Sequence, residues 1–211
     1  MENLNKKEFK PETLVGKAIK DPILREKLIK NLLVKDDYTR FNSHKVLLIL
    51  SEKKPEILYP NWDFFANLLK SSNNFQIVIG IQLIANLVRV DHQAKFEGLF
   101  DEYCRLIDTK SVMTSSHIAL NLGKIAKEKP NLREKVTKRL LSIDKTHHEP
   151  QRKDLIKAYA IESLNEYFDM VEDKAEIINF VKSQLKSRSP KTKKIAESFL
   201  KKKALKNNFQ C

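Results

Sequence analysis

The chain has 211 residues, with 40 Lys plus Arg against 27 Asp plus Glu, a formal net charge of +13. That length suits one ordinary domain or a short repeat array, able to bury roughly 70% of its extended-chain surface without staples. Only four Gly and seven Pro disfavour sandwiches and barrels, which need a turn about every 8–12 residues, and 41% hydrophobic residues are too many for a disordered chain.

Residues 1–20 read as a polar segment with a short capping helix. Asp21-Pro22 is an N-cap followed by proline at the first helical position. Ile23, Leu24, Leu28, Ile29, Leu32 and Leu33 then recur at helical spacing. A second helix is predicted over about Arg40 to Lys54. Pro55 and Pro60 mark the start of the next, whose apolar face is Trp62, Phe65, Leu68 and Leu69. Ser71 to Asn74 is a turn cluster. Helices follow over Phe75–Val90, Gln93–Ile107, Met113–Lys129, Leu132–Ile143, Lys153–Phe168 and Ala175–Leu185. Ile77–Ile81 reads locally as a short strand, but lies inside a longer helical pattern. Ser189-Pro190 repeats the cap-plus-proline device and opens a last helix to about Leu205. Ten or eleven helices are expected, joined by short loops.

The second helices of successive pairs align, with Leu47, Ile84, Leu122 and Leu164 as equivalents, spaced by 37, 38 and 42 residues. Two exits coincide: Glu52-Lys53-Lys54-Pro55 and Glu128-Lys129-Pro130. Tetratricopeptide repeats keep to 34 residues and ankyrin repeats to 33, so neither fits. The segment His117 to Ala126, with its small residues and Leu122-Gly123, resembles the second helix of a HEAT repeat. Pro60 is similar to the kinking proline of that family, and Asp36 with Arg40 to its Asp–Arg ladder pair. The resemblance covers about residues 22–205. It implies an all-α fold: a right-handed α-α superhelix (solenoid) of about five HEAT-like helix pairs. Residues 21–188 would form the array, and residues 189–211 a basic C-terminal capping helix and tail. A helix pair cannot bury its apolar stripe alone, so stacking would create one continuous core.

Second helices usually line the concave face of such solenoids. Positions one before and two after each anchor are expected to point away from the core. On that rule a groove would run from apolar Val46, Ile49 and Leu83, through Asn86, to polar Asn121 and Lys124, with Ile79, His117 and Tyr159 extending the row. An exposed apolar strip of that kind marks a protein or peptide partner. The expected function is therefore a non-catalytic scaffold that binds such a segment.

The charge points to a second reading. Residues 1–181 carry 30 basic and 26 acidic residues, whereas residues 182–211 carry 10 and 1. Arg188, Lys191, Lys193, Lys194, Lys201, Lys202 and Lys203 could meet phosphate or an acidic partner. That makes a nucleic-acid-binding or DNA-repair-associated module the alternative, with a solvated helical cap as the plain explanation. Some HEAT-like proteins are DNA glycosylases whose sites use tryptophans with an acidic residue, but Trp62 is the only Trp here and reads as packing.

No Gly-rich phosphate loop, nucleophile elbow or paired catalytic carboxylates stand out, and His147-His148-Glu149 lacks ligand spacing. No enzyme activity, metal or cofactor is expected. Cys104 and Cys211 read as free thiols of a reducing compartment. The start lacks an apolar leader, and the longest apolar stretch, residues 77–88, falls short of the roughly 20 residues that span a bilayer. An intracellular, cytoplasmic protein without a membrane span is expected, or a nuclear one in a eukaryote, where the basic run could serve as an address.

Overall fold

A computed structural model describes residues 4–208, with side chains through residue 204. All regular structure in this span is helical: eleven α-helices and nine short 3-10 turns. The α-helices are α1 (Glu12–Lys20), α2 (Pro22–Lys30), α3 (Asp37–Lys53), α4 (Trp62–Leu68), α5 (Asn74–Leu87), α6 (Lys95–Arg105), α7 (Val112–Glu128), α8 (Arg133–Leu141), α9 (Pro150–Tyr167), α10 (Ala175–Ser183) and α11 (Pro190–Asn208). None of them is long and apolar enough to cross a membrane. The segment Ile77–Ile81 is part of α5, so the helical period prevails over its local strand character.

Side-chain caps start the helices where the sequence places them. Asp21 accepts a hydrogen bond from the Leu24 amide at 3.0 Å. Ser111 does so from Thr114 at 3.2 Å, and Ser189 from Thr192 at 3.3 Å. Each satisfies an amide that the helix leaves orphaned, worth about 1 kcal/mol. Asp36 also caps α3, accepting from Thr39 at 2.7 Å. Arg40 bonds to the Asp37 carboxylate and the Val34 carbonyl, 2.9 Å away, and, after the Thr39 hydrogen bond, its charge also lowers the Asp36 pKa. The cap occupies Asp36, while Asp37 lies one helical turn before Arg40. Pro60 sits in a 3-10 turn, Tyr59–Asn61, ahead of α4 rather than inside a helix.

The chain divides into two compact units, Met1–Lys95 and Phe96–Cys211. In the first unit α1 packs on α2 and α3, α3 packs on α5, and α5 on α4. The Asn42 amide donates to the carbonyls of Leu4 and Lys6 at 2.7 and 2.8 Å, strapping the N-terminal segment to α3. Asn86 Nδ2 donates to Ser51 Oγ at 2.8 Å. Arg89 donates to the Glu52 carbonyl at 2.7 Å. Trp62 is buried, its ring centroid 5.7 Å from that of Tyr59. A β-carbon on Gly80 would stand 2.9 Å from the Phe65 carbonyl oxygen, so only glycine permits α5 to approach α4 this closely.

In the second unit α7 packs most extensively against α9, and α9 against α11. The Thr192 hydroxyl donates to the Asp154 carbonyl at 2.6 Å. Arg133 donates to the Met170 carbonyl at 3.1 Å. The anchor residues Leu47, Ile84, Leu122 and Leu164 are all fully buried, each contributing roughly 1.5–3 kcal/mol of burial free energy.

The expected apolar strip on the second helices is not exposed. Val46 and Leu83 have no accessible surface, and Ile79 and Asn86 are buried. Two causes are visible. The N-terminal segment and α1 pack on α3, which also packs on α5. On α5 itself, ten of the 14 residues are buried, the mark of a helix that is apolar all round rather than amphipathic. Ile49 alone of the N-terminal row stays half-buried.

Candidate functional site

The open clefts of the second unit lie along α7, α9 and α11. The N-terminal ends of α7 and α9 set side chains at one-turn spacing on a common face: Met113, Ser116 and His117 from α7, and Arg152, Leu155 and Tyr159 from α9. With Val112 they line a cleft of about 370 Å³. No carboxylate lines it. Met113 is one of the few exposed large hydrophobics of the chain, at 37%. Arg152 is exposed, and its guanidinium has no side-chain partner among the described residues. Lys191, from the first turn of α11, holds its ammonium 3.5 Å from the centroid of the Tyr159 ring. That cation–π contact covers one face of the ring and fixes a positive charge beside the cleft.

His117 has a distinct role in this wall. Burial pushes its pKa below the usual value, so the imidazole is neutral near pH 7, with one donor and one acceptor nitrogen. Nδ1 is buried and has no hydrogen-bond partner among the described residues. An unsatisfied buried polar atom costs roughly 1–3 kcal/mol, and a group seated in the cleft could remove that cost. Asn121, one turn along, is buried and spends its amide on the His117 carbonyl at 2.8 Å. It stiffens the helix rather than facing a partner.

Further along the same helices the character changes. A smaller cleft of about 190 Å³ is lined by Glu162 and Asn165 from α9 and by Ile195, Ser198 and Lys202 from α11, among others. The Glu166 carboxyl is pushed up by desolvation against the opposing pull of Lys124 and Lys127. This end therefore alternates in sign, with acids on the central helix and lysines on both neighbours.

A third cleft, of about 730 Å³, adjoins the first through Val112 and Arg152 and holds the loop before α9. His147 Nδ1 lies 2.7 Å from one Asp108 carboxylate oxygen, and its amide donates to the other at 2.7 Å. Burial raises the Asp108 pKa, but the hydrogen bonds from His147 outweigh it and hold the carboxyl below its usual value. His148 Nε2 lies 2.9 Å from Ser115 Oγ, a Ser–His pairing that sequence spacing did not reveal. Ser115 has no accessible surface, and its hydroxyl proton goes to the Ser111 carbonyl at 3.2 Å. A sealed serine cannot attack a substrate. The pair is a strut that pins the loop to α7. Among the described residues no group of three or more His, Cys, Asp or Glu is placed to hold a metal ion.

The structure thus brings together His117 and Tyr159 of the expected row with Lys191 of the expected basic patch. Lys124 lies half-buried at the far end of the same face. Lys203 is engaged elsewhere, 3.2 Å from Asp169 Oδ1 and 4.7 Å over the Phe168 ring. Arg188, Lys193, Lys194, Lys201 and Lys202 are exposed. Sequence reasoning missed Met113, Arg152 and Leu155. The signal was available: Arg152, Leu155 and Tyr159 are spaced by three and four residues, one stripe of α9, which an anchor rule limited to nearby offsets did not reach.

No protein-family model, no curated protein and no solved structure matches this chain.

Proposed function

We propose that the protein is a non-catalytic binding module of HEAT-like type, its helix pairs stacked as a right-handed superhelix, which holds a protein or peptide segment on the α7–α9–α11 face. Hydrogen bonds between adjacent pairs support the stacking. Asn86 of α5 and Ser51 of α3 are 35 residues apart, Arg89 after α5 and Glu52 of α3 37, and Thr192 of α11 and Asp154 of α9 38. The last two separations equal anchor spacings in the sequence, 37 and 38 residues. The observation that carries the binding reading is the cleft between Met113, His117, Arg152, Leu155 and Tyr159. It has apolar walls, an unpaired exposed guanidinium and a buried nitrogen without a partner. Pockets of this kind, apolar with a few placed polar groups, are where ligands seat.

The test is selection of random peptides displayed on phage against the whole purified chain. Enriched sequences should bind in the micromolar range and lose binding to Leu155→Asp or Met113→Asp, in variants whose circular dichroism melts remain cooperative. Peptides that bind both variants as well as the parent would refute this site. Retention of single-stranded or duplex oligonucleotides, weakening steeply between about 50 and 200 mM salt, would favour nucleic-acid binding through the basic C-terminal region instead.

A further inference from the structure

The chemistry of the α7–α9 cleft narrows the partner. This step rests on the binding face proposed above and concerns what fills it. Its floor and walls are apolar, from Met113, Leu155 and the Tyr159 ring. Its rim carries Arg152, exposed and unpaired among the described residues, and Lys191, held over Tyr159 at 3.5 Å. No acid lines it. An occupant that matches both features places an apolar side chain inward and carboxylates at the rim.

Two neighbouring features decide between macromolecular classes. The ammonium of Lys191 occupies one face of Tyr159, leaving less of the ring for stacking a base. Beyond the cleft, α9 presents Glu162 and then Glu166 along the same face. A phosphate backbone running along the helices would meet both carboxylates, whereas affinity for nucleic acid grows with each phosphate neutralised by a cation. A short segment confined to the cleft meets Arg152 and Lys191 without reaching them.

We infer that the α7–α9 cleft binds a short acidic peptide segment, its apolar anchor between Met113, Leu155 and Tyr159 and its flanking carboxylates on Arg152 and Lys191. The polar backbone of such a segment can offer the missing hydrogen bond to His117 Nδ1. The charges act at the rim, so they set selectivity and association rate, while the anchor sets affinity.

Two synthetic peptides test this on the whole chain by fluorescence anisotropy. One has a central Leu-Phe pair flanked on each side by Glu-Glu, and the other carries Lys-Lys in the same places. The expected result is binding of the Glu-flanked peptide at least about tenfold tighter than the Lys-flanked one. Arg152→Glu should lower it about tenfold or more, and the double change Arg152→Glu with Lys191→Glu should reverse the preference. Arg152 is exposed, so its substitution leaves the fold intact, checked by an unchanged thermal midpoint. Equal binding of both peptides, abolished by Met113→Asp, would overturn the acidic class while leaving the binding face standing. Binding of the Glu-flanked peptide that survives Met113→Asp would overturn both. No binding of the Glu-flanked peptide at about millimolar concentration would overturn this assignment. So would capture of a single-stranded oligo(dT) that the peptide does not displace.

Discussion

Gly123 and Ser163 meet where α7 packs on α9: a β-carbon on Gly123 would stand 2.6 Å from the Ser163 carbonyl oxygen and 2.8 Å from its hydroxyl. The obstacle is backbone, which cannot swing away as a long side chain would. Gly123 therefore sets the separation of α7 and α9, and with it the width of the cleft at their N-terminal ends.

Gly123→Ala should consequently destabilise the protein even though alanine is the better helix former by about 1 kcal/mol. The net loss is expected at about 1–3 kcal/mol, the usual cost of overpacking. At this chain length that is a drop of roughly 2–4 °C in thermal midpoint per kcal/mol. Gly16, on the exposed side of α1 with nothing within 4 Å of an added β-carbon, is the control. Gly16→Ala should raise stability by about 0.4–1 kcal/mol.

Alkaline pH should weaken the fold. Burial pushes the Tyr59 phenol up to about 12, helped by its hydrogen bond to Asp91 at 2.6 Å. Burial likewise pushes Tyr167 to about 12 and the Cys104 thiol to about 12. Unfolded tyrosine and cysteine ionise near 10 and 8.5. These acids hold their protons more tightly when folded, so their contribution is intact below the unfolded values. It is lost as pH rises from about 9 toward 12, where the unfolded chain ionises first. The urea midpoint should fall across that window, and Tyr59→Phe should flatten the fall. The same substitution should cost about 1.5–3 kcal/mol at pH 7, the value of a hydrogen bond to a buried charged group.

The Cys104 thiol should be inert in the native state. It has no accessible surface, and both burial and the raised pKa suppress the thiolate that reacts. In a Cys211→Ser background, iodoacetamide should leave the folded chain unlabelled at pH 8 and label it fully in guanidinium. Rapid native labelling would contradict the buried placement.

Acid should loosen the loop before α9. The Asp108 carboxyl is held below its usual value by His147, so its stabilising effect is present above the unfolded carboxylate pKa near 4. It fades as pH falls below that through the lower folded value. Amide exchange at His147, whose N–H is bonded to Asp108, should accelerate over that range, and Asp108→Asn should remove the pH dependence.

Much of the fold is legible in the sequence because local rules act on adjacent residues. Asp21 and Ser189 announce their helices by capping chemistry. The aliphatics at 47, 84, 122 and 164 are buried as their shared offset predicts. The first turn of α3 claims Asp36 as a cap, while Arg40 bonds directly to Asp37 and acts on Asp36 through its charge. The groove map fails at longer range. Residues 4–20 return to pack on α3, and the two Asn42 bonds that fasten them span 38 and 36 residues.

Length, period and composition by themselves determined that the chain is helical and that the aliphatic anchors at 47, 84, 122 and 164 are buried, because these follow from backbone hydrogen bonding and the 3.6-residue repeat. Only the tertiary structure decided which surfaces remain open. Val46, Ile79 and Leu83 vanish under neighbours, while Met113, Arg152, Leu155 and Tyr159 converge on an unfilled cleft with Lys191 at its edge. Exposure is a property of what packs against a side chain, and that is set by contacts between residues far apart in the chain.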